Sequence, residues 1–214
     1  MAKTDDMIER LVGELKPVPA TALQRLLVCA MLPGLVLSAA FIFFLHGPRP
    51  DLTAAMATPA FWVKSVYPLI LALVGISGLM VVARPGGLPR GTCIGWLAIY
   101  LALVTSGLWQ LGTASDARYP LLIFGRSWWI CPIIIMASAL PVFVANFWFL
   151  RRAAPTHIRL AGFVAGLTAG AVGAWTYSWG CMETGLPFVA IWYTLGIVLC
   201  GVAGALCARP LLRW

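Results

Sequence analysis

Residues 130–150 read ICPIIIMASALPVFVANFWFL, 21 positions without an Asp, Glu, Lys, Arg or His. A helix of about 20 apolar residues crosses the roughly 30 Å hydrocarbon core of a bilayer. Arg151-Arg152 closes the stretch. Five more stretches of this kind fill most of the chain, at 26–45, 64–83, 92–111, 160–179 and 187–208. The breaks between them are well marked. His46-Gly47-Pro48-Arg49-Pro50 ends the first and Arg84-Pro85-Gly86-Gly87 the second, while Gly180 and Gly185 flank a short link before the last. The pattern predicts an all-α polytopic membrane protein with six transmembrane helices (residues 26–214), preceded by a cytoplasmic arm (residues 1–25).

Composition agrees. The chain is 61% hydrophobic with a mean hydropathy of +0.92, and only 10% of it is charged. A soluble domain carries about 25% charge, so lipid is the expected solvent. The net charge of +8 does not point to nucleic acid, because the basic residues are scattered at helix ends. Residues 1–25 hold four basic and four acidic side chains, a poor match to the basic start of a cleaved signal peptide. The N-terminus is therefore expected to be retained.

Six spans put both termini on one side, and basic residues decide which. The N-terminal segment, the second and fourth loops and the C-terminus carry eleven Lys and Arg, among them Arg84, Arg90, Arg151, Arg152 and Arg159, against four in the other loops. Both termini are expected to be cytoplasmic. Trp62, Trp109, Trp128, Trp129 and Trp179 then gather at the outer interface and Trp96, Trp148 and Trp214 at the inner one, as generic anchors.

Orientation sorts the six cysteines. Cys29, Cys93 and Cys207 fall toward the cytoplasmic side, Cys200 lies within the last span, and only Cys131 and Cys181 reach the outer surface, where the environment is oxidising. The spacing matches no zinc pattern, and no CxxC pair occurs. Cys131 precedes Pro132, which predicts it as the N-cap of the fourth span. Free amides at a helix start favour a thiolate, and Arg126 adds positive charge nearby. Cys181 follows Gly180 in a tight loop that suits a mobile partner thiol. The pair is expected to serve a redox role or to bind a metal transiently. The plainer reading is two small buried packing residues.

In the arm, Met7, Ile8, Leu11, Val12 and Leu15 recur on one helical face. Thr4 is placed to cap the helix and Pro17 to stop it. A short amphipathic helix outside the membrane is expected. Its mixed polar face favours a protein partner over lipid. In the fifth span, Gly162, Gly166, Gly170 and then Gly173 predict close helix packing. No charged residue lies near the centre of a span, which counts against an ion-coupled transporter. Lys64 sits at an outer end, where its ammonium is expected to snorkel to water. His46 and His157 fall on opposite sides, and no phosphate loop or nucleophile elbow is present, so neither enzymatic activity nor a bound cofactor is expected.

Several blocks carry a resemblance. They are Cys131-Pro132-Ile133-Ile134-Ile135, Leu140-Pro141, Phe147-Trp148-Phe149-Leu150-Arg151-Arg152-Ala153-Ala154-Pro155-Thr156, Arg159-Leu160-Ala161-Gly162, and Cys181 with Pro187-Phe188-Val189-Ala190-Ile191-Trp192-Tyr193-Thr194-Leu195-Gly196. Together they resemble the NrsF family of bacterial membrane proteins, negative regulators of sigma F. The likeness covers essentially the whole chain. It implies an anti-sigma factor of the bacterial inner membrane, holding an extracytoplasmic-function sigma factor away from RNA polymerase and touching no nucleic acid itself. The family's outward cysteine pair maps onto Cys131 and Cys181, so oxidants or thiol-binding metal ions are the expected signal. The arm, with Arg84, Arg90, Arg151, Arg152 and Arg159, is expected to form the docking surface. A quinone-linked thiol oxidoreductase shares the cysteine pair but lacks a CxxC. A small-molecule or metal transporter would share the six spans and the proline breaks.

Overall fold

The computed structural model describes residue 19, residues 21–47 and residues 49–212. Every regular element among them is helical. Helix α1 (Ala22–Phe41) runs on into a π-helical turn, Ile42–His46. The short α2 (Leu52–Met56) precedes α3 (Pro59–Val82) and α4 (Arg90–Thr113). A 3₁₀ turn leads into α5 (Tyr119–Phe124), then come α6 (Cys131–Leu150) and α7 (Ile158–Ser178). Helix α8 (Leu186–Phe188) passes through a π-helical turn, Val189–Tyr193, into α9 (Thr194–Leu211). Six helices are long and apolar enough to cross a membrane: Ala22–Leu45, α3, α4, α6, α7 and the run Leu186–Leu211.

Each of the six expected stretches lies on one of these helices, with starts that shift by a few residues. The second begins at Pro59 rather than 64, because proline at the first helical position presets φ and lacks an N–H the helix does not need there. The first begins at Ala22 rather than 26. The amphipathic stripe of Met7, Ile8, Leu11, Val12 and Leu15 lies outside the described residues, as does Trp214.

Helix α7 is the axis of the bundle, packed against α9, α6 and α3. Its glycines explain the closeness. A Cβ on Gly166 would collide with the Cys200 carbonyl of α9, and one on Gly162 would meet Gly204 and Ala208. Gly204 returns the contact against the Gly162 carbonyl. Gly173 turns to α6, facing Ile135 and Ala139. Backbones approach this closely only where side chains are absent. Short polar side chains then tie the helices together. Ser38 of α1 bonds Thr176 at 3.0 Å, Ser65 of α3 bonds Ser178 at 3.0 Å, and the Ser138 hydroxyl of α6 donates to the Gly173 carbonyl at 3.1 Å.

Outward-facing positions carry large apolar side chains, among them Val36, Leu73, Leu101, Val144 and Leu206, the inverse of a water-soluble pattern. Helix α4 is the most peripheral, with only Thr92, Leu103 and Gly107 buried. Trp96, expected as an interfacial anchor, is half-buried and donates its indole N–H to the Leu71 carbonyl of α3 at 3.0 Å.

Glycine contacts of this kind make a sharp expectation. Gly166→Ala should lower stability by about 1–3 kcal/mol, the usual cost of overpacking. Gly112→Ala, where a Cβ meets nothing, should be neutral or slightly stabilising. Thermal unfolding of the two variants in detergent checks the difference.

Candidate functional site

Hydrogen bonds gather the links 47–58, 114–130 and 179–185 at one end of the bundle. At its centre is the 179–185 link, which leaves α7 and re-enters the bundle at α8. Five residues with no regular structure expose backbone carbonyls, and two cations from elsewhere satisfy them. Lys64, one turn into α3, donates its ammonium to the Cys181 carbonyl at 2.6 Å and to the Glu183 carbonyl at 2.8 Å. The Arg49 guanidinium donates to the same Cys181 carbonyl at 3.3 Å. Lys64 is therefore not a snorkelling side chain. It is 1% exposed, because the 179–185 link folds over it and offers the oxygens that water would have supplied.

Arg49 is itself anchored. It pairs with Asp51 in a bidentate fork at 2.6 and 2.8 Å. That fork holds the Asp51 carboxyl below its usual range and raises the guanidinium further. The sign follows: a depressed carboxyl stabilises the folded state above its ordinary range, and the contribution is lost as pH falls through the lowered value.

The acidic residue of the link faces the other way. One oxygen of Glu183 accepts the Arg126 backbone N–H at 2.7 Å and the Ser127 hydroxyl at 3.1 Å. This ties the link to the turn before α6. Gly125 makes the approach possible, since its φ of +57° suits glycine and a Cβ there would strike the Glu183 carboxylate. The Leu186 N–H donates to the Gln110 side-chain oxygen at 2.7 Å, joining α4 to the same end.

Cys131 and Cys181 both lie inside this framework. Both belong to one buried cluster and both are free thiols. The Tyr177 hydroxyl is in hydrogen-bond contact with each, and with Ser127. The Tyr193 hydroxyl, fully buried, faces Cys181 but finds no partner at hydrogen-bonding geometry. Two expectations change. Cys131 is the first residue of α6, with Ile130 as its N-cap, because the 3.2 Å bond from the Ile130 N–H to Ser127 starts the turn earlier. The thiols are also not open to the surface. Cys131 is 0% and Cys181 2% exposed, since the 179–185 link, pinned by Lys64, Arg49 and Glu183, covers them rather than moving freely. A cavity of about 600 Å³ reaches this place from outside, bounded by Arg49, Arg126, Ser127, Tyr177, Cys181 and Glu183. Cys131 is not on its wall.

Sequence reading missed Lys64, Tyr177 and Tyr193 as parts of this site. A lysine placed a turn inside an apolar helix was a usable sign. The two tyrosines carried none, since aromatics near a span end read as anchors.

The opposite end holds the five arginines. The loops after α3 and α6 are joined by the Ala154 N–H to the Ala83 carbonyl at 3.3 Å and by the Gly86 N–H to the Thr156 hydroxyl at 2.8 Å. Arg151 donates to the Leu211 carbonyl at 2.6 Å, and Arg152 lies 3.7 Å over the Trp148 ring. Arg84, Arg90, Arg151, Arg152 and Arg159 are all exposed, and none pairs with a carboxylate among the described residues. The geometry thus brings the expected loop arginines to one surface.

Because Glu183 joins two links through one carboxylate, Glu183→Ala should cost about 1.5–3 kcal/mol, the range for a hydrogen bond to a charged group. It should also speed hydrogen exchange at the Arg126 amide. Glu183→Gln keeps an acceptor oxygen and should retain most of the protection, as exchange read by mass spectrometry would report.

The family model described as NrsF, negative regulator of sigma F, matches residues 11–214. A curated relative, the anti-sigma-F factor NrsF of Caulobacter vibrioides (strain NA1000 / CB15N), is 36% identical over 217 aligned residues, covering 99% of this chain and 100% of that protein. A second, the probable anti-sigma-F factor NrsF of Azospira oryzae, is 33% identical over the same shares. No solved structure matches. These matches run along the full length, and family membership implies a regulatory role rather than an enzymatic one: the chain belongs to the NrsF family of negative regulators of sigma F.

Proposed function

We propose that this chain is an anti-sigma factor of the bacterial inner membrane, with both termini cytoplasmic, that holds an extracytoplasmic-function sigma factor and releases it when oxidants or thiol-binding metal ions act on Cys131 and Cys181. The observation that carries the reading is the division of the bundle into two ends. A buried thiol pair lies at one end, and a surface of five exposed arginines at the other. The excess of basic residues on the arginine side supports a cytoplasmic orientation for it. The names of the relatives support the sigma-factor partner.

Helix α6 is the physical link in this proposal. It starts at Cys131 and ends at Leu150, next to Arg151 and Arg152, a length of about 30 Å at 1.5 Å per residue. Cys181 belongs to the link that follows α7, and Gly173 of α7 packs directly on α6. A disulfide between the thiols, or one soft metal ion bridging two thiolates, would change how the start of α6 sits against the 179–185 link. Close-packed helices respond by shifting between discrete arrangements rather than by bending. The shift would have to favour the sigma-free state by its own differential free energy; about 3 kcal/mol corresponds to a roughly 150-fold change in affinity. Docking would use Arg84, Arg90, Arg151, Arg152 and Arg159 together with the arm stripe of Met7, Ile8, Leu11, Val12 and Leu15.

Two measurements test this. Cys131→Ser and Cys181→Ser should each abolish the response of a sigma-dependent reporter to thiol oxidants or cadmium, with the protein still inserted and still repressing. A response equal to the parent's would exclude the thiol mechanism. Deleting residues 1–18 should reduce co-purification of the sigma factor from solubilised membranes by tenfold or more. Full retention would move docking entirely onto the arginine loops.

A further inference from the structure

Lys64 is a buried cation without a counter-charge. Its ammonium meets two backbone carbonyls, and no carboxylate lies at ion-pair distance among the described residues. The candidates are both committed elsewhere. Asp51 gives both oxygens to Arg49, and Glu183 turns its carboxylate to Arg126 and Ser127. A buried charge with only neutral partners is costly. The buried α3 positions nearest it, Phe61 and Ser65, are uncharged. The cation is held instead against one particular cysteine. Lys64 and Arg49 both donate to the carbonyl of Cys181 itself, and Cys181, unlike Cys131, lines the cavity that opens from outside.

We propose that Lys64 is the positioning residue of the thiol pair, its ammonium fixing the Cys181 segment and supplying the positive charge opposite a Cys181 thiolate, so that Cys181 reacts first and Cys131 second. The inference deepens the thiol-sensing reading above and takes its biological meaning from it. Thiolates, not thiols, attack electrophiles and bind soft metals. A thiolate at Cys181 would give Lys64 the counter-charge it lacks. The other groups that face Cys181 are consistent with this order. Tyr177 of α7 and Tyr193 of the Val189–Tyr193 turn present hydroxyls that can donate to a sulfur anion. Arg49, held by Asp51, adds a second cation from the 47–58 link. Cys131 of α6 and Glu183 of the link itself complete the set; the Glu183 carboxylate keeps its charge but is turned to the Arg126 N–H and the Ser127 hydroxyl. The Tyr193 hydroxyl, which lacks a partner, is a donor available to a Cys181 thiolate.

The test uses the full-length protein in detergent, with Cys29, Cys93, Cys200 and Cys207 replaced by Ser. Iodoacetamide is the probe: the sulfur anion bonds to the reagent's methylene carbon and iodide leaves. Mass spectrometry then follows each cysteine's alkylation rate against pH. In the parent, Cys181 should be alkylated before Cys131 and with a lower pH midpoint. Lys64→Met should raise the Cys181 midpoint by about one pH unit or more, so that its rate at neutral pH falls about tenfold. Lys64→Gln, which keeps a donor for the carbonyls but no charge, should do the same, and Lys64→Arg should keep the parent's midpoint. Alkylation of Cys131 first in the parent, or an unmoved Cys181 midpoint in the uncharged variants, overturns the proposal. Where Lys64→Met does not fold, Lys64→Gln and Lys64→Arg make the same comparison. Failure of the sensing reading looks different: the order and the Lys64 dependence would stand, while Cys181→Ser cells would respond as the parent does.

Discussion

Everything in this bundle rests on how closely α7 approaches its neighbours. Apolar helices in lipid gain little from burying apolar surface, so what holds them is contact between backbones and hydrogen bonds between short side chains. Gly162 and Gly166 of α7 and Gly204 of α9 place main chain against main chain. Gly173 does the same toward α6. With α7 fixed on three sides, Ser138, Ser65 and Ser38 fall within reach of its polar atoms. The positions of Tyr177 and of the link that follows are consequences of that axis.

At the thiol end a second constraint takes over. At residues 181–185 the link has no regular structure, and its inward carbonyls, those of Cys181 and Glu183, need donors. The chain answers with cations rather than with water. Lys64 and Arg49 reach the Cys181 carbonyl from two different elements, and Glu183 reaches back to the turn before α6. Three charged residues thus hold one link. The same bonds that bury the cysteines place two cations and one carboxylate around the Cys181 segment.

The arginine end is built differently. Its loops are joined mostly by backbone and hydroxyl contacts, which leaves its guanidinium groups largely uncommitted. Arg151 and Arg152 are tied to the bundle by a carbonyl and an aromatic ring instead of a carboxylate. A surface of that kind keeps its charge available for an acidic partner. The lone amide oxygen of Asn146, buried in α6 without a donor while its nitrogen bonds the Ala165 carbonyl, has no account in the packing.

Much of the architecture was legible in the chain because lipid as solvent imposes a simple rule. About 20 apolar residues between charged or Gly-Pro breaks must form a helix, and all six appear where the pattern puts them. The fourfold glycine spacing announced the close face of α7, since spacing in a helix is geometry. The site was legible only in part. Cys131 and Cys181 stood out by their side of the bundle, but their burial did not, because burial depends on a link whose fold is decided by residues more than a hundred positions away. Lys64 read as a snorkelling end residue because sequence shows distance along the helix and not what folds over it. Sequence by itself determined the number of helices, the tight face of α7 and which cysteines share an end. Only the tertiary structure decided that two cations pin the link that covers them, because a buried carbonyl takes whichever donor the packing brings within reach.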